Sequence, residues 1–255
     1  IMKQQKMLCK IIVLTIHNEI EYLINNYSTR KIIFLDDNAT VNKKRMQDIS
    51  KSIIEKKIDI RLGCLASINT YDKETFELMY KAGFRWVHFG IESGSQRVLE
   101  NNNKKFDINY AKQVIKEVKQ IGYRVRTSFI FDLPTTTKED MKKTIEFILE
   151  TEPDEIRGHF LTLRLGTTIY NKLSKEKELP TQYIHSDKPL LESEIYTNSE
   201  MLKDIDILID NSKERDYKIV RDVSEWEDLE NLRNKEGKIK FLSFCPSRYG
   251  IDWEK

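Results

Sequence analysis

A chain of 255 residues that is 39% hydrophobic and 33% charged has enough apolar material for a core, which excludes a disordered protein. Its 43 basic and 41 acidic residues leave a net charge of +2, so no electrostatic case exists for nucleic acid or an anionic membrane as a partner. No run of about 18 apolar residues occurs, and the apolar stretch at 7–16 lacks a signal peptide's cleavage site.

From residue 17 a unit repeats: an amphipathic helical stretch, a polar turn and a short apolar run. Helical spacing covers 17–27 and is followed by the strand-like run at 31–35, KIIFL. A helix at 43–57 leads to a strand at 58–65, and a helix at 72–82 leads to a strand at 85–89. The helix at 108–121 precedes the run YRVRTSFIF at 123–131, and the helix at 137–150 precedes a strand at 155–163. Asp72 and Thr137 stand as N-caps, while Gly83 and Gly122 stand where a helix ends in a left-handed residue. Beyond residue 173 the pattern changes: 174–187 is polar, 191–210 is helical, 222–234 is acidic, and an apolar run at 239–244 leads into Cys245. The expected division is a barrel-like part at 1–173 and an appendage at 174–255.

Strand–helix alternation at intervals of roughly 30 residues forces parallel pairing, because each helix must cross the sheet. The fold class is therefore α/β, either doubly wound or a parallel β/α barrel. In both, ligands meet the carboxyl ends of the strands. The residues there are Asp36, Asp37 and Asn38; Ser67 and Asn69; Gly90, Glu92 and Ser93; Asp132 and Pro134; and Arg164, Gly166 and Thr167. Asp36 and Asp37 could hold a cation or an amine, or simply open a turn. Gly90 would let a ligand approach the backbone, with Glu92 and Ser93 offering groups suited to ribose hydroxyls; the plainer reading is a loop that caps the next helix. His88 and His159 fall inside strands and read as interior residues, and Trp86 and Phe89 read as packing.

In order and spacing, three segments resemble the radical SAM superfamily, in particular the branch often fused to a cobalamin-binding domain. They are FLDDNATVNKKR from Phe34, LMYKAGFRWVHFGIESGSQRVL from Leu78 and FIFDLPTTTKEDMKKTIEF from Phe129, with LGTTIYNKL from Leu165 closing the match. The resemblance implies a partial parallel β/α (TIM-like) barrel, N-terminally incomplete here, with a small C-terminal α+β appendage. It implies S-adenosylmethionine and a [4Fe-4S] cluster as cofactors, with cobalamin open for a full-length protein. By resemblance Asp36 and Asp37 lie where the methionine part of S-adenosylmethionine is received. Gly90, Glu92 and Ser93 lie at the strand end that meets its ribose, and Ile130 lies on the strand that flanks adenine. The implied reaction is reductive cleavage to a 5′-deoxyadenosyl radical, acting on a small-molecule or peptide substrate. A flavodoxin or ferredoxin would serve as reducing partner.

Two departures stand out. The family's CxxxCxxC loop has no counterpart here, since Cys9, Cys64 and Cys245 are single and far apart. That spacing also gives no disulfide framework and suits a reducing cytoplasm. The second departure is Asp132-Leu133-Pro134-Thr135-Thr136, where the family has glycines around the proline, so weaker nucleotide contact is expected. The chain begins on Ile1 and is expected to be a piece of a longer product, inactive alone. Two readings stay open: a fragment of a radical SAM enzyme, or a cluster-less relative that binds a small molecule or partner without radical catalysis.

Overall fold

A computed structural model describes residues 2–175, 197–220 and 240–243. Among the described residues, seven strands form one sheet in the order β1-β2-β3-β4-β5-β7-β6. They are β1 (Lys31–Phe34), β2 (Arg61–Ala66), β3 (Phe84–Glu92), β4 (Arg124–Ile130), β5 (Glu155–His159), β6 (Lys218–Val220) and β7 (Phe241–Ser243). The helices are α1 (Met2–Tyr27), α2 (Lys43–Glu55), α3 (Lys73–Lys81), α4 (Gln96–Asn101), α5 (Ile108–Ile121), α6 (Lys138–Thr151), α7 (Thr168–Leu173) and α8 (Asn198–Lys213). No described helix is long and apolar enough to cross a membrane.

Contacts group the described residues into two compact units, one of 2–90 with 109–126 and one of 91–108 with 127–243. In the first, β1 pairs parallel with β2 (Lys31 beside Arg61) and β2 parallel with β3 (Cys64 beside Val87). Parallel pairing fits the sequence, because α2 and α3 are the crossovers between these strands. Met46, Ile49 and Ile53 recur at helical spacing on α2 and are buried, as are Phe76 and Met79 on α3. On β3, Val87 and Phe89 point to one face and Trp86 and His88 to the other. Phe89 stacks on Phe76 at 6.4 Å. Trp86 lies so close to Gly63 that a Cβ there would sit 2.7 Å from its ring, and the Arg126 guanidinium rests 4.7 Å from the same ring. Both aromatics are packing residues.

The caps behave as the sequence predicts. Asp72 accepts from the Thr75 backbone N–H at 3.0 Å, and Thr137 forms a reciprocal capping box with Asp140. Gly83 and Gly122 take φ of +107° and +113° after α3 and α5. The strand expected at 58–65 starts later, at Arg61, because Lys57 ends α2 in a left-handed conformation (φ +52°). The strand expected at 155–163 stops at His159; the ladder does not continue through 160–162, and Leu163 makes only an isolated bridge. The apolar stretch at 7–16 is the forward part of α1.

In the second unit, Phe129 meets Phe147 edge-on at 6.0 Å, and Met141, Ile148 and Ile156 are buried. The C-terminal elements join the same sheet: β7 pairs parallel with β5 and with β6. Tyr217 donates its hydroxyl to the Pro153 carbonyl, and Glu152 receives Lys240 at 3.0 Å and Arg215 at 3.6 Å. Helix α8 and strands β6 and β7 are the described elements after residue 175, and they belong to the same compact unit as β5. The polar stretch at 176–187, His185, the acidic stretch at 222–234 and Cys245 lie outside the described residues, as does the side chain of Cys9.

Candidate functional site at the strand ends

In the first unit, the residues after β1 and β2 form a polar edge. Asn38 is its hub: its side-chain oxygen accepts from Thr40 Oγ1 at 3.0 Å, Thr70 Oγ1 at 3.2 Å and the Ser67 N–H at 3.3 Å. Ser67 caps the short turn at Ile68–Thr70 by accepting from the Asn69 N–H at 3.3 Å. The Asn38 side-chain oxygen and Ser67 therefore lock two strand ends together through bonds within the protein. Asp36 and Asp37 are exposed, and Asp36 pairs with Arg45 of α2 at 3.3 Å. That pair is open enough to water to contribute little stability. What it does is orient one carboxylate at the strand end and leave the other in solvent. Gly90 is half-buried at the end of the same unit.

The second unit carries a denser constellation around Ile91–Ile108. Glu92 ends β3 with φ of +70°, a left-handed conformation that costs a non-glycine residue on the order of 1 kcal/mol or more. Its carboxylate, 19% exposed, pairs with Lys104 at 3.1 Å. Lys104 sits twelve positions on, after α4, and the sequence reading missed it because no local periodicity links the two. Ser93 is 4% exposed, and its Oγ accepts from the Ser95 N–H at 3.1 Å while lying 3.3 Å from Thr144 Oγ1 on α6. The Gly94 N–H donates to Thr144 Oγ1 at 3.0 Å. A Cβ on Gly94 would fall 2.6 Å from both the Lys143 carbonyl oxygen and Thr144 Cα, so only glycine lets the loop press on α6.

Asp140 anchors the loop's far side. Its carboxylate accepts from Ser95 Oγ at 2.6 Å, the Thr137 N–H at 2.9 Å, Thr137 Oγ1 at 2.6 Å and the Arg97 guanidinium. Burial alone would raise its pKa, but the donors from Arg97, Ser95 and Thr137 outweigh it and hold the carboxyl down at about 2. A permanently ionised carboxylate thus ties α4 to the start of α6. Thr135, the next residue of the proline turn, sits at φ +70° and gives its carbonyl to Arg97 at 2.7 Å.

Asp132 is 1% exposed, and its carboxylate accepts the Leu161 N–H. This acid has a structural role: it replaces the ladder partner that Leu161 lacks beyond β5. Ile130 is half-buried against a cluster of Val98, Leu133, Leu161, Leu163 and Tyr170, an apolar wall at the end of β4. Thr167 caps α7 by accepting from the Tyr170 N–H at 3.3 Å; Arg164 and Gly166 beside it are exposed. Chemically, the second unit offers an oriented carboxylate, a paired ammonium and an apolar wall. Those groups suit a polar sugar next to a flat base.

The model of the radical SAM superfamily matches residues 11–148. An uncharacterised methyltransferase of Pyrococcus horikoshii is 33% identical over 152 residues, which are 60% of this chain and 33% of that protein. An anaerobic magnesium-protoporphyrin IX monomethyl ester cyclase of Cereibacter sphaeroides is 24% identical over 166 residues, 64% of this chain and 27% of that one. The chain therefore spans about a third or less of these relatives. Among solved structures, the radical S-adenosylmethionine methyltransferase TsrM from Kitasatospora setae, with cobalamin and a [4Fe-4S] cluster bound, superposes with a TM-score of 0.58 at 15% identity. It covers 74% of this chain and 40% of that one. The likeness extends the β/α, TIM-like fold to this chain.

Proposed function

Since the chain belongs to the radical SAM superfamily, we propose that it supplies the S-adenosylmethionine-binding side of a radical SAM enzyme. The observation that carries this reading is Glu92, held in a left-handed conformation at the end of β3 with its carboxylate oriented by Lys104. There it accepts hydrogen bonds from the ribose hydroxyls, the acceptor-only role of an ionised carboxylate. Ile130 provides the apolar wall beside adenine. Taken by itself, the first unit offers Asp36, oriented by Arg45, and Asp37 as acceptors for an ammonium group such as that of the methionine part.

The family implies a [4Fe-4S] cluster, whose usual ligands are thiolates. The described residues do not fit it. Cys64 is their only cysteine with a described side chain; it is buried, and burial with the nearby Asp36 charge pushes its thiol up to about 12. No described group of three His, Cys, Asp or Glu side chains could hold a metal ion. The described residues bind, orient and exclude water, and no electron-transfer step is assigned to them. The substrate, the reducing partner and the cobalamin that the Kitasatospora enzyme binds belong to the proposal for a full-length protein.

Calorimetry with S-adenosylmethionine tests the reading. Glu92→Ala removes a charged acceptor worth about 1.5–3 kcal/mol, so affinity falls roughly 10- to 100-fold while circular dichroism stays unchanged. Equal affinity of the two proteins refutes the ribose assignment. The cysteine arrangement favours a second reading, nucleoside binding without radical chemistry. Anaerobic iron–sulfide reconstitution, beside the chain extended with its upstream coding sequence, separates them. A brown extended protein supports the radical enzyme, and two colourless proteins support binding alone.

A further inference from the structure

Ser93 and Thr144 point to how Glu92 is kept in place. The Thr144 hydroxyl donates to the Asp140 carbonyl of its own helix at 2.9 Å, which uses its only proton. Its lone pairs are then left to accept the Gly94 N–H at 3.0 Å and the Ser93 hydroxyl at 3.3 Å. That assignment orients Ser93 as donor to Thr144, and its oxygen in turn accepts the Ser95 N–H at 3.1 Å. Both hydroxyls are buried: Ser93 is 4% exposed, as is Thr144. Thr144 has no hydrogen-bonding capacity to spare for a ligand and Ser93 keeps one buried lone pair, whereas the adjoining Glu92 carboxylate is 19% exposed. The loop cannot relax away from α6, because Gly94 lies against the α6 backbone and Asp140 grips Ser95 and Arg97 on the far side.

We propose that Thr144 is a positioning residue for the nucleoside subsite, acting through Ser93 and Gly94 to hold the Glu92 carboxylate toward the ribose hydroxyls. The proposal rests on the ribose assignment of Glu92 and adds a residue on a different helix, about fifty positions away in sequence. It makes Ser93 a relay within the protein and Glu92 the group that touches the ligand. Removing the Thr144 hydroxyl leaves the Gly94 N–H without its acceptor and frees the Ser93 side chain to rotate. The carboxylate then loses its fixed aim while the apolar wall at Ile130 is untouched.

The test compares S-adenosylhomocysteine with its 2′,3′-dideoxy analogue by calorimetry on the full chain. A site built to hydrogen-bond a hydroxyl discriminates strongly against a ligand that lacks it. The wild type is expected to prefer the hydroxylated ligand by at least about tenfold. Thr144→Val is expected to bring that ratio to about twofold or less, with Thr144→Ser restoring it. A merely structural role would weaken both ligands alike and leave the ratio unchanged, which overturns the proposal. Should Thr144→Val fail to fold, Ser93→Ala removes the relay while keeping the helix residue, and the same collapse is expected; an intact ratio refutes it. Glu92→Gln separates the two levels. If Glu92→Gln lowers the ratio and Thr144→Val does not, positioning by Thr144 is wrong and the ribose assignment stands. If the wild type shows no preference, the ribose assignment fails and takes the proposal with it.

Discussion

Replacing Asp140 by asparagine probes the anchor of the strand-end loop. The carboxylate is 3% exposed and takes hydrogen bonds from Ser95, Arg97 and both donors of Thr137. Its pKa of about 2, against an ordinary value of 3.8, corresponds to roughly 2 kcal/mol of preference for the ionised form. Arg97 is 48% exposed, so water screens part of its share. Asparagine keeps one acceptor but turns an N–H₂ toward donors, so Asp140→Asn is expected to cost about 1.5–3 kcal/mol at neutral pH. The sign with pH follows from the depressed folded pKa. The contribution is complete above the unfolded value near 3.8 and is lost as pH falls through about 2. Urea unfolding of both proteins between pH 7 and pH 2, followed by circular dichroism, reads this as a gap. It should be constant above about pH 5 and close toward pH 2. A gap that is absent at pH 7, or present and independent of pH, refutes the role given to these hydrogen bonds.

Gly94→Ala drives a Cβ to within 2.6 Å of the Lys143 carbonyl oxygen and Thr144 Cα; a loss of about 2–3 kcal/mol is expected, visible as a drop of several degrees in Tm. Asp132→Ala strands the buried Leu161 N–H and should cost about 2 kcal/mol, whereas Asp132→Asn, which retains an acceptor, should cost less; denaturant midpoints compare the two. Cys64, buried and with its thiol raised to about 12, should resist iodoacetamide at pH 8 until the protein is unfolded, as peptide mass spectrometry would show.

The periodic elements were legible because local pattern and global fold agree: Lys31, Ile108 and Glu155 open their elements where the apolar runs and helical spacing place them. The N-caps at Asp72 and Thr137 were legible for the same reason. Strand β6 was not, since three residues, Lys218–Val220, carry too little alternation; the apolar run at 239–244 contained β7 but not its pairing with β5 across more than eighty positions. The candidate site divides along the same line. Glu92 and Ser93 could be found as polar residues at a strand end. Lys104, Asp140 and Thr144 could not, because their roles arise from packing between elements distant in sequence. Sequence also gave no means of telling the half-exposed Glu92 from the engaged and buried Ser93, or of assigning Asp132 to Leu161.

The sheet order has a consequence for synthesis on the ribosome. Strand β7 lies between β5 and β6, although it is the last of the three to be translated. Until Phe241–Ser243 emerges, Glu155–His159 and Lys218–Val220 have no strand to join them, and each presents a ladder edge able to recruit another nascent chain. Closure of this part of the sheet is a post-emergence event. Synthesis halted before Phe241 would leave both of those ladder edges unpaired.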